Sequence, residues 1–124
     1  MKNFKAIIFD FNGVIINTRV TPSSSNGSYK VSEELVPGVL ELIREASKLG
    51  LKMGIASSCS KAIINEILKR FNIDKYFEGI ASKEDVEYLK PSPDIFLYSA
   101  SLMGINSFQC IAIDDSEQGI IAAQ

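Results

Sequence analysis

Residues 6–18 read AIIFDFNGVIINT, and they place a carboxylate, Asp10, directly after an apolar run. The run Lys5–Phe9 is continuous rather than alternating, which is typical of a strand that is covered on both faces of a parallel sheet. Three further short apolar runs follow at Leu51–Ala56, Gly79–Ala81 and Cys110–Ile113. The sequence therefore predicts about four parallel strands, with Asp10 at the carboxyl end of the first.

Helical patterns separate the four runs. Pro37 is expected at the first position of one helix, Ser60 caps a second, and Ser92-Pro93 begins a third, while Gly50 and Gly104 end the first and the third. A fourth helix is predicted from Ser116. The expected core faces are Val39, Leu42, Ile43, Ala46 and Leu49 in the first helix, and Ile63, Ile64, Ile67, Leu68 and Phe71 in the second. Strands that alternate with helices predict an α/β fold with a doubly wound parallel sheet in three α/β/α layers.

The composition narrows the class of protein. The chain has 124 residues, enough for one domain, and its net charge of −2 comes without a basic patch, so no nucleic-acid partner is expected. No signal peptide or membrane-spanning run is predicted, so we expect a cytoplasmic protein with no membrane partner. The absence of histidine excludes Ser-His-Asp and Cys-His nucleophiles and histidine metal sites. Cys59 and Cys110 are expected to be reduced packing residues.

Polar residues follow each predicted strand, and in a doubly wound sheet these positions share one edge, where ligands bind. Three carboxylates at that edge would repel one another, and a divalent cation with oxygen ligands relieves the repulsion. Mg²⁺ suits such ligands best. In strand order the residues are Asp10 and Asn12, then Ser57 and Ser58, then Lys90, then Asp114 and Asp115.

The same edge predicts chemistry on a phosphate group. Ser57 and the backbone amides that follow it lie at the start of a predicted helix, where phosphates bind. Lys90 can neutralise both a carboxylate and a phosphate oxygen. Carboxylates attack phosphorus to form aspartyl phosphates, so Asp10 is the candidate nucleophile. The residues therefore predict metal-assisted phosphoryl transfer through Asp10.

Four motifs now show a family resemblance: FDFNGVI, GIASSCS, YLKPSPDIF and IAIDDSEQG. They resemble the four motifs of the haloacid dehalogenase superfamily, in that family's order, and their wording is most similar to the β-phosphoglucomutase-like phosphatases. The resemblance extends from residue 4 to residue 124. Each motif alone is a weak indication of the family, whereas KPSPDIF followed by IDDSEQGI is a highly specific one. The resemblance implies an Mg²⁺-dependent phosphatase or phosphotransferase with a Rossmann-like core.

The first motif departs from the family at one position. Asp10 resembles the family's nucleophile and direct Mg²⁺ ligand. Asn12 stands where the family usually has a second aspartate, whose backbone carbonyl binds the metal and whose side chain is the general acid and base. An amide cannot transfer a proton, so we expect Asn12 to keep the metal contact and to reduce turnover by about 10²- to 10⁴-fold. The sequence leaves open whether Asn12 is natural or engineered.

The other motifs supply the remaining roles that the resemblance implies. Ser57 resembles the phosphate-binding hydroxyl of the second motif, and Ser58 beside it is a further phosphate-binding candidate. Lys90 resembles the lysine that stabilises the phosphoaspartate. Asp115 resembles a direct metal ligand, and Asp114 its mostly water-mediated companion.

Two further departures concern segments that the family normally has. Only about 18 residues separate Thr18 from Pro37, too few for the family's helical cap, so we expect one core domain over residues 1–124 with a loop or hairpin at residues 19–32. The open site would suit a phosphorylated small molecule or macromolecule. The family continues beyond SEQGIIAAQ into another strand and helix, so the Cys110–Ile113 strand is expected to be a sheet edge. The sequence leaves open whether the chain is a shortened form of the family and whether it forms a homodimer that covers the edge or the site.

Two other functions compete with a slowed phosphatase. One is a catalytically impaired or truncated module that binds phosphate and Mg²⁺ without turnover. The other is a signalling receiver domain, which has a similar length and a phosphoaccepting aspartate. In receivers the acidic pair follows the first strand, whereas here Asp114-Asp115 follows the last, which argues against that class.

Overall fold

A computed structural model of the chain describes residues 4–22, 29–88 and 93–114. In chain order the elements are β1 (Ala6–Phe9), β2 (Ile16–Pro22), β3 (Tyr29–Leu35), α1 (Val39–Lys48), β4 (Lys52–Ala56), α2 (Lys61–Arg70), β5 (Gly79–Ala81), α3 (Asp94–Leu102) and β6 (Cys110–Ile113). The four predicted strands are confirmed to within one residue at their ends. The predicted helix from Ser116 lies outside the described residues.

The central sheet has four parallel strands in the order β5-β4-β1-β6. After β1 the chain builds β4 and β5 on one side, and then returns to place β6 on the other side of β1. The strand order therefore reverses between β1 and β6, and this is the place where doubly wound sheets bind ligands. Among the described strands of this sheet, β6 is an edge, as the sequence predicted.

Helices cover both faces of the sheet, which confirms the three-layer arrangement. Ile7 and Phe9 of β1 belong to a core cluster that contains the buried residues of α1 and α2. Ala6 and Ile8, which point to the opposite face, belong to a second cluster with the buried residues of α3. The continuous apolar run of β1 is thus explained by a core on each side.

The predicted core faces of the helices are partly wrong. Leu42 and Leu49 of the first helix and Ile63 of the second are largely exposed. Leu42 and Ile63 each lie about 100° around the helix from the next residue, which is the one that faces the sheet. Leu49 is the C-cap of α1, beyond the part of the helix that packs.

The predicted ends of the helices agree with the structure better than the predicted core faces do. Ser60 caps α2 through a hydrogen bond from the amide of Ile63 to its Oγ. Gly50 follows the C-cap of α1 with a φ of 77°. Pro37, however, is not the first residue of α1: the helix begins at Val39 with Gly38 as its N-cap, whose φ of 87° suits glycine.

Helix α3 lies unusually close to β4 and β5. A Cβ atom on Gly79 would stand 2.6 Å from the carbonyl oxygen of Ser99, and one on Gly54 would stand 2.4 Å from the Ser99 Oγ. That Oγ donates a 2.7 Å hydrogen bond to the carbonyl of Gly79. Glycine at both strand positions is therefore what allows the helix to dock.

Strands β2 and β3 form a separate antiparallel pair, in register from Ile16 opposite Leu35 to Pro22 opposite Tyr29. Arg70, the last residue of α2, pairs with Glu33 of β3 and with Glu66 of its own helix. The view that residues 19–32 stand in place of a cap, in a single core domain, stays a prediction. Within the described parts of the chain, none of the helices has the length and apolar character required to cross a bilayer.

Candidate functional site

Asp10 and Asp114 lie side by side at the carboxyl edge of the sheet. Phe9 is paired with Ile113 in the parallel register of β1 and β6. The pairing continues for one more step, because the amide of Asp10 donates a 2.9 Å hydrogen bond to the carbonyl of Ile113. Asp114 is the next residue after that carbonyl. The structure therefore brings the two acidic residues together at the reversal of strand order.

The loop after β1 is a tight turn with a buried anchor. The side chains of Phe11 and Ile15 are fully buried, and the amides of Ile15 and Ile16 both donate to the carbonyl of Phe11. Gly13 makes the turn with a φ of 84°, a conformation that glycine adopts without strain. This arrangement leaves Asn12 exposed at the tip.

The Asp10 side chain is mostly withdrawn from water, with 8% of the residue exposed. Its Oδ1 accepts a 2.8 Å hydrogen bond from the amide of Phe11, the next residue. A carboxylate held by a backbone amide keeps a defined orientation, as a nucleophile requires. Burial of Phe11 thus helps to aim Asp10.

Ser57 stands on the other side of Asp10, in the loop after β4. It is only 2% exposed, and its amide donates a 3.1 Å hydrogen bond to the carbonyl of Ala81 at the end of β5. Its Oγ accepts a 3.1 Å hydrogen bond from the amide of Cys59. A hydroxyl that accepts a bond still has its own hydrogen to donate, so Ser57 can offer that hydrogen to a phosphate oxygen. Ser58 is exposed at the same edge.

The amides at the start of α2 have acceptors within the protein. The amide of Ile63 donates to Ser60 Oγ, and the amide of Lys61 donates a 3.3 Å hydrogen bond to a carboxylate oxygen of Glu84. Sequence reasoning assigned these amides to phosphate and missed Glu84, because nothing in SKEDV indicates that the loop after β5 reaches the helix.

Cys59 is a free cysteine packed against the core, as predicted, and it also connects three loops. Its Sγ lies 3.0 Å from the side-chain Nδ2 of Asn12, which donates to it. Its amide donates to Ser57 Oγ, and its carbonyl accepts a 3.4 Å hydrogen bond from the amide of Lys83. The predicted acid–base position is therefore oriented by a thiol that sequence reasoning did not assign to the site.

Asp85 is another residue that sequence reasoning did not assign to the site. Its side chain is only 13% exposed and its Oδ1 accepts a 2.8 Å hydrogen bond from the Nζ of Lys61. Its Oδ2 accepts hydrogen bonds from the amide and the Oγ of Ser82, at 2.8 and 3.0 Å. Although burial would raise the pKa of Asp85, the bonds from Lys61 and Ser82 together hold that pKa below its usual value.

The donor atoms at this edge are oxygens, the chemical kind of ligand that binds a hard cation. The carboxylates of Asp10 and Asp114 and the backbone carbonyl of Asn12 are oxygen ligands, which Mg²⁺ prefers. Within residues 4–22, 29–88 and 93–114 no group of three or more acidic, cysteine or histidine side chains converges on one point. Two predicted site residues, Lys90 and Asp115, lie outside the described ranges.

The chain is similar to known proteins in both sequence and fold. At the sequence level, the chain is 33% identical over 90 residues to hexitol phosphatase B of Escherichia coli, covering 73% of this chain and 40% of that protein. It is 37% identical over 90 residues to beta-phosphoglucomutase of Bacillus subtilis, covering 73% of this chain and 39% of that protein. The chain thus spans about two fifths of the length of these curated relatives.

A solved structure shows the same fold over nearly the whole chain. A HAD-superfamily hydrolase from Ehrlichia chaffeensis superposes with a TM-score of 0.85 at 19% identity, covering 99% of this chain and 84% of that one. The sequence pattern of the haloacid dehalogenase-like hydrolases matches residues 25–124, which include the second, third and fourth motifs. The first motif precedes the matched residues, and the structural likeness extends over it. The chain therefore belongs to the haloacid dehalogenase-like hydrolase family.

Proposed function

We propose that this chain carries the core of an Mg²⁺-dependent phosphatase or phosphotransferase that acts on a phosphate ester through an aspartyl phosphate on Asp10. The observation that carries the proposal is the hydrogen bond from the Asp10 amide to Ile113, which sets a buried carboxylate beside Asp114. Ser57, directly after the neighbouring strand β4, completes the set with a buried hydroxyl. The names of the relatives, a hexitol phosphatase and a phosphoglucomutase, support a phosphate ester as substrate.

In the first step the carboxylate of Asp10 attacks phosphorus. A bond forms between an Asp10 oxygen and phosphorus, the bond to the ester oxygen breaks, and the released alkoxide takes a proton from water. In the second step water, or a hydroxyl of an acceptor molecule, attacks the same phosphorus. The bond between phosphorus and the Asp10 oxygen breaks, which restores the carboxylate, and the proton of the attacking group passes to solvent. The Phe11 amide fixes the carboxylate plane, and the Ser57 hydroxyl can donate to a phosphoryl oxygen.

The proposed metal ligands are Asp10, the carbonyl of Asn12, Asp114 and Asp115. When bound, Mg²⁺ would polarise the phosphoryl oxygens and offset the negative charge of the carboxylates. Lys90, by the family resemblance, would add a positive charge to the phosphoaspartate.

Asn12 is expected to slow the reaction without preventing it. Its amide can hydrogen-bond the leaving oxygen but cannot transfer a proton, so we expect turnover to fall by about 10²- to 10⁴-fold relative to an aspartate. In the structure this amide donates to Cys59, which holds it at the rim of the site.

The test is hydrolysis of p-nitrophenyl phosphate and of hexitol phosphates, with Mg²⁺ and with EDTA. We expect slow Mg²⁺-dependent turnover that Asp10→Asn abolishes, and an 80-Da addition on the peptide containing Asp10 after acid quenching, the mass of one phosphoryl group. The matched control is Asp74→Asn, which changes an acidic residue in the turn before β5. Equal turnover in Asp10→Asn and the parent chain would contradict the proposal.

A second candidate is a module that binds phosphate and Mg²⁺ without turnover, and Asn12 is the observation that favours it. Calorimetric titration with inorganic phosphate and Mg²⁺, together with the Asn12→Asp variant, separates the two. Binding with no turnover in either form supports the second candidate, whereas turnover in Asn12→Asp supports the first.

A homodimer remains part of this proposal, because β6 is an edge of the described sheet and a second copy could pair with it. We propose no nucleic-acid or membrane partner. Light scattering at several protein concentrations measures the oligomeric state directly.

A further inference from the structure

The contacts between β4 and β5 continue beyond the ends of the strands. Regular pairing ends with Ala56 opposite Ala81. Beyond it, three backbone amides donate across the gap: Ser57 to the carbonyl of Ala81, Lys83 to the carbonyl of Cys59, and Lys61, the first residue of α2, to the side chain of Glu84. We call residues 57–60 the phosphate loop and residues 82–85 the β5 loop. The two loops are therefore joined to one another where the proposed phosphate contacts begin.

Asp85 closes this set of contacts with its side chain. Three donors converge on its carboxylate, two from Ser82 in its own loop and one from Lys61 in the first turn of α2. Hydrogen bonds to an ionised group are stronger than neutral ones, and a nearly buried carboxylate is screened little by water. Asp85 thus fixes both the internal shape of the β5 loop and its attachment to α2.

The other ion pairs of the described chain are more open to water, including Arg70–Glu33, whose side chains are 47% and 28% exposed. Arg70 and Glu66 form a pair at 2.8 Å in the same helix, with side chains 47% and 66% exposed. Lys52 and Glu78 are 3.6 Å apart, and both side chains are about half exposed. Exposed pairs of this kind contribute little to stability or to geometry. The Lys61–Asp85 pair differs because its carboxylate is mostly buried and has further donors.

From these contacts we infer that Asp85 is a positioning residue for phosphoryl transfer: it holds the β5 loop against the phosphate loop and so keeps Ser57, Cys59 and Asn12 in place. The inference rests on the proposed function, since it concerns the same site. The route runs from Asp85 through the β5 loop to the Cys59 carbonyl, and from Cys59 to Ser57 Oγ and the Asn12 amide. No atom of Asp85 needs to touch the substrate.

The test compares Asp85→Asn with Glu66→Gln, each in the full chain. Asparagine keeps the size of Asp85 and can still accept from Ser82, but it loses the charge that holds Lys61. Glu66→Gln removes the carboxylate of the Arg70–Glu66 ion pair within α2, away from the carboxyl edge of the sheet. Circular dichroism first establishes a temperature at which both variants and the parent chain are folded.

Three readouts follow at that temperature. In ¹⁵N-labelled protein we expect the backbone amide of Cys59 and the side-chain amide of Asn12 to shift in Asp85→Asn and to stay in place in Glu66→Gln. We expect the affinity for inorganic phosphate to fall by roughly 10- to 100-fold in Asp85→Asn, as when supporting hydrogen-bond partners of a site are removed. For p-nitrophenyl phosphate we expect kcat to fall by a similar factor, because misplacement acts on the transferring group.

The outcomes separate the inference from the proposed function. If Asp85→Asn matches Glu66→Gln in both the amide shifts and the phosphate affinity, the inference is wrong whatever the turnover. If the parent chain binds phosphate without turnover, the affinity comparison still decides the inference, while turnover as part of the proposed function is lost. If the parent chain binds no phosphate, the proposed function is lost, and the amide shifts of Cys59 and Asn12 alone decide whether Asp85 holds the two loops together.

Discussion

The close approach of α3 to the sheet leads to a quantitative prediction for Gly79→Ala. The new Cβ would lie 2.6 Å from the Ser99 carbonyl oxygen and 2.8 Å from Met103 Cγ. The first neighbour is backbone, so the helix itself must move away from the sheet. Overpacking of this kind costs about 1–3 kcal/mol.

The same movement lengthens the hydrogen bond from Ser99 Oγ to the Gly79 carbonyl, which is buried and 2.7 Å long. Weakening it adds about 0.5–1.5 kcal/mol. Alanine has less conformational freedom than glycine in the unfolded chain, which offsets the loss of stability by about 0.4–1 kcal/mol. The net expectation is a loss of about 2 kcal/mol, or roughly 8 °C in Tm for a chain of this size.

The assay is urea unfolding followed by circular dichroism, with Gly50→Ala as the matched control. Gly50 has open space around its Cβ position and a φ of 77°, so alanine there meets backbone strain of about 1 kcal/mol but no clash. A Gly79→Ala chain as stable as Gly50→Ala would refute the reasoning. Gly54→Ala provides a second check, because its nearest neighbour is the Ser99 Oγ and Ser99→Ala should recover part of its loss.

Two further predictions concern the site. Asn12→Asp should raise kcat for p-nitrophenyl phosphate by about 10²- to 10⁴-fold, since a carboxylate can transfer the proton that the amide cannot; an unchanged kcat in steady-state assays would contradict this. The pKa of Asp85 is lower in the folded chain than in the unfolded one, so its stabilising contribution is present above about pH 4 and is lost as the pH falls through the folded value. The difference in unfolding free energy between the parent chain and Asp85→Asn should therefore shrink between about pH 5 and pH 2, and a difference that is constant over this range would exclude the linkage.

The four strands of the parallel sheet were predictable because helix signals separate four short apolar runs. Continuous burial of β1 on both faces leaves no alternation in its apolar run. The run at residues 110–113 is equally apolar, but Ile111 and Ala112 of β6 are exposed, so the expected burial of this strand is wrong. Both runs match their strands to within one residue. The core faces of the helices were less predictable. Leu42 and Ile63 are as apolar as their buried neighbours, and only the position of the sheet decides which side of the stripe is covered.

For the site, sequence order alone indicated that Asp10 and Asp114 share an edge, since both directly follow apolar runs that predict parallel strands. It did not indicate that these strands are immediate neighbours, because β1 and β6 are about a hundred residues apart in the chain. Nothing in the sequence around Cys59 or Asp85 indicates that these residues belong to the site. Their roles arise from loops that meet after β4 and β5 have paired.

The amino-acid sequence by itself determined the elements of this protein, the family motifs and the chemical kinds of group that follow each strand. These are local properties, set by apolar runs, caps and turn residues along the chain. The tertiary structure decided which of those groups meet: Asp10 beside Asp114, Asn12 on Cys59, and Asp85 on Lys61. The physical reason is that hydrogen bonds between loops depend on strand order and register, which only packing of the whole sheet against its helices establishes.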